Sequence, residues 1–149
     1  MRKSFWLAVL AYLLPTFPLG YFWHLVTFAE HYHRLAMYRD EVIIPFGLAS
    51  MVIQALVFAW TFPRLFGADP SRWLRNAAAF GCVFGTLAWS FAVLPVAAKY
   101  RMTSVQDFLA LETAFTLLQF LIVSPLIALA YRQRLDRPVA QAARRNSLT

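Results

Sequence analysis

Glu112 and Gln119 lie in the stretch LALETAFTLLQF, residues 109–120, a run that otherwise reads as membrane-spanning. Ionisable and amide side chains at such positions are expensive to hold in lipid, and they mark a functional site or a tie between helices. Similar residues recur at helical intervals. Thr16, Gly20 and His24 follow a spacing of four. Gly47, Ser50 and Gln54 are three and four apart, and Glu112, Thr116 and Gln119 are four and three apart. Each set forms one stripe of a helix.

At 1.5 Å per residue, Gln54 and Gln119 would each lie about 18 Å from the extracytoplasmic end of their spans, near the middle of the layer. Glu112 and His24 would lie roughly 6 Å in. With Ser50 and Ser90, these residues predict a polar pocket open to the extracytoplasmic side, with a paired-amide floor of Gln54 and Gln119. The expected pocket is His24, Ser50, Gln54, Ser90, Glu112, Thr116 and Gln119. Two structural readings stand beside it. Gln54 and Gln119 would bond one another simply as glue between helices, and Glu112 would pair with Lys99 or Arg101 across a short turn.

Other chemistry is thinly represented. EHYH, residues 30–33, with His24 upstream, is the one conceivable metal cluster, and His24, His31 and His33 would be its ligands. A helical His31 and His33 point to different faces, so no metal and no cofactor is expected. There is no nucleophile elbow, phosphate-cradling glycine loop or zinc-protease helix. Glu112 and His24 could serve as acid and base on lipid or quinone, since paired titratable groups in a partly dry pocket can be tuned apart. No catalytic residue is assigned. The single cysteine, Cys82, excludes an intrachain disulfide.

These residues must be positioned by membrane helices. Of 149 residues, 60% are hydrophobic and 14% charged, against roughly 45–50% and about 25% in soluble domains. Four apolar runs, about 5–28, 42–63, 76–98 and 108–131, are each long enough to span a bilayer. The start, MRKSFWLAVLAYLL, resembles a signal peptide, but bulky PTFPLGYFWH follows where a cleavage site would need small residues, so this segment is expected to stay as the first span. Residues 1–131 then form one transmembrane domain and 132–149 a basic tail. Ala77, Gly81 and Gly85 predict a close packing face, and Pro15, Pro18, Pro95 and Pro125 predict bends.

The net charge of +7 is compatible with nucleic acid, but its distribution points to topology. Arg2, Lys3, Arg64, Arg72, Arg75, Arg132, Arg134, Arg137, Arg144 and Arg145 fall on one side, and Arg34, Arg39, Lys99 and Arg101 on the other. Both termini are therefore expected in the cytoplasm, and the fold class is an all-α, up-down bundle of four transmembrane helices. Tyr32 and Tyr38, in the connection after the first span, are expected at headgroup depth.

The segments GYFWHLVTF, IIPFGLASMVIQ and ETAFTLLQF resemble small bacterial inner-membrane proteins of four helices without an assigned function. The resemblance covers nearly the whole chain, implies a bacterial inner-membrane location and carries no catalytic residue across. Small multidrug exporters share four helices and one membrane glutamate, but theirs is deep in the first helix, where this chain has none. The leading expectation is a binding or transport protein for a small or amphipathic ligand. A non-enzymatic accessory subunit of a membrane complex comes next, and a membrane enzyme acting on lipid or quinone third. Expected partners are membrane lipid, that ligand, and either a second copy of the chain or another membrane protein; nucleic acid is not expected.

Overall fold

A computed structural model of the chain describes residues 2–39, 41–67 and 69–132. The tail beyond Arg132, and with it Arg134, Arg137, Arg144 and Arg145, lies outside the described residues. The described residues are helical, without strands: α1 (Arg2–Phe22), α2 (Ala29–Arg34), α3 (Ile44–Leu65), α4 (Trp73–Ala92), α5 (Leu94–Lys99) and α6 (Val105–Arg132). A π-helical turn, Trp23–Thr27, extends α1, and a 3₁₀ turn, Pro70–Arg72, precedes α4.

Four stretches are long and apolar enough to cross a membrane, namely Lys3–Thr27, Ile44–Leu65, Pro70–Lys99 and Val105–Arg132. They contain or overlap the four expected runs, and their ends follow local chemistry. Asp69 caps the start of the third by accepting from the Ser71 amide at 2.9 Å, and Ser104 starts the fourth by accepting from the Asp107 amide at 3.2 Å. Pro15, Pro18 and Pro125 are carried inside helices. Pro95 instead sits in the first turn of α5, so the third span is broken at Val93, because proline has no N–H to donate to the preceding turn.

α6 packs along both α1 and α4, α1 packs along α3, and the α3 and α4 backbones stand apart. The small-residue stripe makes the α4–α6 approach close. A Cβ added at Gly81 would come within 2.8 Å of Ser124 Oγ, and one at Gly85 within 3.3 Å of the Phe120 ring. Trp89 Nε1 adds a bond to Thr113 Oγ1 at 2.9 Å across the same seam.

Two cores result. The larger gathers Tyr12 of α1, Phe58 and Phe62 of α3, Phe80 of α4, and Phe120, Ile127 and Tyr131 of α6. Its rings bridge the gap between α3 and α4: Phe58 meets Phe80 edge-on at 5.3 Å, and Phe62 meets Phe80 at 5.5 Å. The second core, Tyr32, Leu35, Val93 and Phe108, closes the opposite end. Thr103 ties it across two connections, donating from its hydroxyl to the Arg34 carbonyl at 2.7 Å and from its amide to Leu35 at 3.3 Å.

Candidate functional site

α1 ends in a turn whose Phe28 amide reaches back five residues to the Trp23 carbonyl at 3.0 Å. Such widened turns are rare and cluster at functional sites. Here the turn carries His24, whose Nδ1 lies 3.0 Å from the Gly20 carbonyl and whose Nε2 lies 3.3 Å from Glu112 Oε1 of α6. The same carboxylate oxygen accepts from the Tyr32 hydroxyl at 2.7 Å. Both side chains of the His24–Glu112 pair are about one-fifth exposed or less, at 20% and 16%. The Tyr38 ring stacks on Tyr32 with centroids 4.7 Å apart.

The structure therefore joins His24 and Glu112 as the stripes predict. Glu112 is not within ion-pair distance of Lys99 or Arg101; its basic partner is His24. Tyr32 is fully buried: its ring packs among Leu35, Val93 and Phe108 while its hydroxyl reaches the carboxylate. Burial, and then the negative charge of Glu112, push the Tyr32 phenol well above its ordinary value, and the same two causes raise Tyr38. Both phenols stay neutral, and that of Tyr32 is the donor to Glu112.

Deeper in the bundle the expected paired-amide floor takes another form. Gln54 and Gln119 do not bond one another. Tyr12 stands between them: its hydroxyl donates to Gln54 Oε1 at 2.5 Å and accepts from Gln119 Nε2 at 3.0 Å. The α3–α6 backbones approach less closely than either approaches α1, so two amides alone do not span the distance and the phenol of the intervening helix completes the bridge. Sequence reasoning began the first stripe at Thr16. One further step of four reaches Tyr12, and that spacing was the available signal.

These groups line a cavity of about 470 Å³ that includes Ser50, Gln54, Glu112, Thr116 and Gln119. Thr116 is held by donating to the Glu112 carbonyl at 2.8 Å. Ser90 does not line the cavity: its hydroxyl donates to the Leu87 carbonyl of its own helix at 3.0 Å. The exposed lining residues, Ser50, Gln54, Leu87, Phe91 and Ala92, belong to α3 and α4, so the mouth lies laterally between those helices. The helix ends beyond Glu112 are filled by the Tyr32–Leu35–Val93–Phe108 core. Towards the opposite end the cavity stops at Phe58, Phe84 and Phe120.

On the far side of His24 lies a second hollow of about 500 Å³, lined by Phe17, Tyr21, Tyr38, Arg39 and Met51 among others. The weak metal alternative fails on geometry. Among the described residues no group of three or more His, Cys, Asp or Glu side chains is placed to hold an ion; His31 and His33 are exposed, while both ring nitrogens of His24 are engaged. Cys82 is exposed and lines a third, mostly apolar groove between α4 and α6.

No family model, curated protein or solved structure matches the chain. The resemblance drawn from GYFWHLVTF, IIPFGLASMVIQ and ETAFTLLQF thus rests on those segments, and the functional reading rests on the geometry of the cleft.

Proposed function

We propose that this protein binds a small or amphipathic ligand in the cleft between α3 and α4, as a binding or transport-type component of a bacterial inner membrane. The observation that carries the reading is a cavity with polar groups at two depths, Glu112 above and the Gln54–Tyr12–Gln119 bridge below, that is open laterally and blind at an aromatic plug. A cavity of this size suits a drug-sized or smaller molecule. A lateral mouth suits one that arrives through the lipid. The plug argues for holding a ligand from one side over free passage.

Both termini are cytoplasmic in this reading and the four spans alternate in direction. The ten-to-four division of the basic residues supports it, as does the joining of the α1–α3 and α5–α6 connections at one end by Thr103. The cleft then faces the extracytoplasmic half. Reporter fusions at position 149 and within 30–40 should give cytoplasmic and periplasmic signals respectively, and the reverse pattern would refute the orientation.

Cysteines placed at 112 or 54 in a Cys82→Ala background test the cleft itself. A water-soluble thiol reagent added from outside should reach both positions through the cleft, since a thiolate must meet water to react. Failure at both positions would show a packed interior. Native mass spectrometry of the gently purified chain should retain a small ligand. The exposure of Ser50 and Gln54 on α3 also supports a second reading, in which a partner helix covers them in a membrane complex. A stoichiometric protein partner in the same spectra would favour it.

A further inference from the structure

The hydrogen-bond partners of His24 determine how many protons the site holds. The Gly20 carbonyl can only accept, so Nδ1 carries a hydrogen. Nε2 and Glu112 Oε1, 3.3 Å apart, then need one proton between them. It is held either as imidazolium facing carboxylate or as imidazole facing carboxylic acid. Both arrangements are neutral overall. Without that proton two lone pairs would face each other, and the contact would open.

Charge is distributed unequally around the pair. Among the described residues, Glu112 is the sole ionisable carboxyl lining the α3–α4 cavity, and no lysine, arginine or histidine lines it. His24 and Arg39 line the hollow on the opposite side. Among the remaining titratable groups, Tyr32 donates to Glu112 and Tyr38 stacks on Tyr32. The Tyr12 phenol of α1 also lines the cavity, and α3 and α4 contribute no titratable side chain to it. The described protein contacts of the carboxyl converge on Oε1, so Oε2 is the oxygen available to a molecule in the cavity. Beyond it the rings of Phe58, Phe84, Phe115 and Phe120 line the same cavity and suit an apolar or aromatic body.

Resting on the ligand-cleft reading, we propose that the ligand class is a monocationic amine with an apolar or aromatic body, taken up in exchange for the proton shared by His24 and Glu112. The ammonium N–H donates to the carboxylate, the shared proton leaves to water, and His24 remains neutral with its hydrogen on Nδ1. Net charge in the site is zero before and after. Retaining the proton would leave a net positive charge in a largely apolar cleft, which is the costlier state.

Three probes of one body test this on the full chain in lipid nanodiscs: phenylbutylamine, phenylbutanol and phenylbutyrate. Calorimetric titration near neutral pH, in two buffers of different ionisation enthalpy, reads affinity and protons together. The amine should bind about tenfold or more tighter than the alcohol, with close to one proton released per amine bound. Glu112→Gln should abolish that preference and the release while still binding the alcohol. Amine binding no tighter than alcohol, or without proton release, overturns the exchange but leaves the ligand cleft standing, as does preference for the anion. Binding of none of the three overturns the inference together with the cleft reading beneath it. Should Glu112→Gln not fold, the selectivity and proton count of the unaltered chain decide the matter.

Discussion

Replacing Tyr12 by phenylalanine removes one oxygen and leaves the ring in its place, edge-on to Phe58 at 5.2 Å. Two bonds are lost, and they are unequal. Gln54 is exposed at the mouth of the cleft and its side chain is free to reorient. Gln119 is 9% exposed and its Nε2 would lose the Tyr12 acceptor. An orphaned buried donor costs about 1–3 kcal/mol, whereas a polar tie between membrane helices averages roughly 0.6 kcal/mol because the unfolded state in lipid also finds partners. The expected loss for Tyr12→Phe is therefore about 1–2 kcal/mol, five- to thirtyfold in the unfolding equilibrium. Gln54→Ala should cost less than about 0.6 kcal/mol. Reversible unfolding in mixed micelles measures each, and Tyr12→Phe combined with Gln119→Leu completes a cycle. The double variant should recover part of the loss, since removing both partners leaves nothing unsatisfied. Strict additivity to within about 0.3 kcal/mol would refute the bridge. An equally large effect of Gln54→Ala would instead favour a direct amide pair.

Gly81→Val should destabilise by about 1–3 kcal/mol, because even a Cβ there meets Ser124 Oγ at 2.8 Å; Gly47→Ala, with nothing within 4 Å, should be neutral or slightly stabilising. Thermal unfolding of both variants, with Ser124→Ala as the relieving change for Gly81, checks the packing face. Tyr32 and Tyr38 have raised values in the folded state through burial and the charge of Glu112. Their contribution to stability is thus fully present below the ordinary tyrosine value of about 10 and is lost as pH rises through the folded values. Stability measured against pH should fall on the alkaline side, with a shallower slope in Tyr32→Phe. An unchanged slope would place the Tyr32 phenol outside that environment.

Local chemistry made much of the fold legible. Apolar runs of about twenty residues have few stable alternatives in lipid besides helices, since the backbone must satisfy itself within each segment. Asp69 and Ser104 mark helix starts by their own side chains, and Ala77, Gly81 and Gly85 mark a contact face by the absence of bulk. The same periodicity placed His24, Glu112, Gln54 and Gln119 on inward stripes, because spacing along one helix depends on that helix alone. Tertiary structure decided what those stripes meet. Tyr12 rather than a second amide completes the inner bridge, since the distance between α3 and α6 depends on how both pack against α1. Tyr32 meets Glu112 of α6, a pairing across 80 residues that nothing in its own segment encodes. Ser90, three residues from an inward position, turns to its own backbone where Pro95 breaks the third span. The lateral mouth exists because α3 and α4, joined by a short connection in the chain, each bury more against a third helix than against each other.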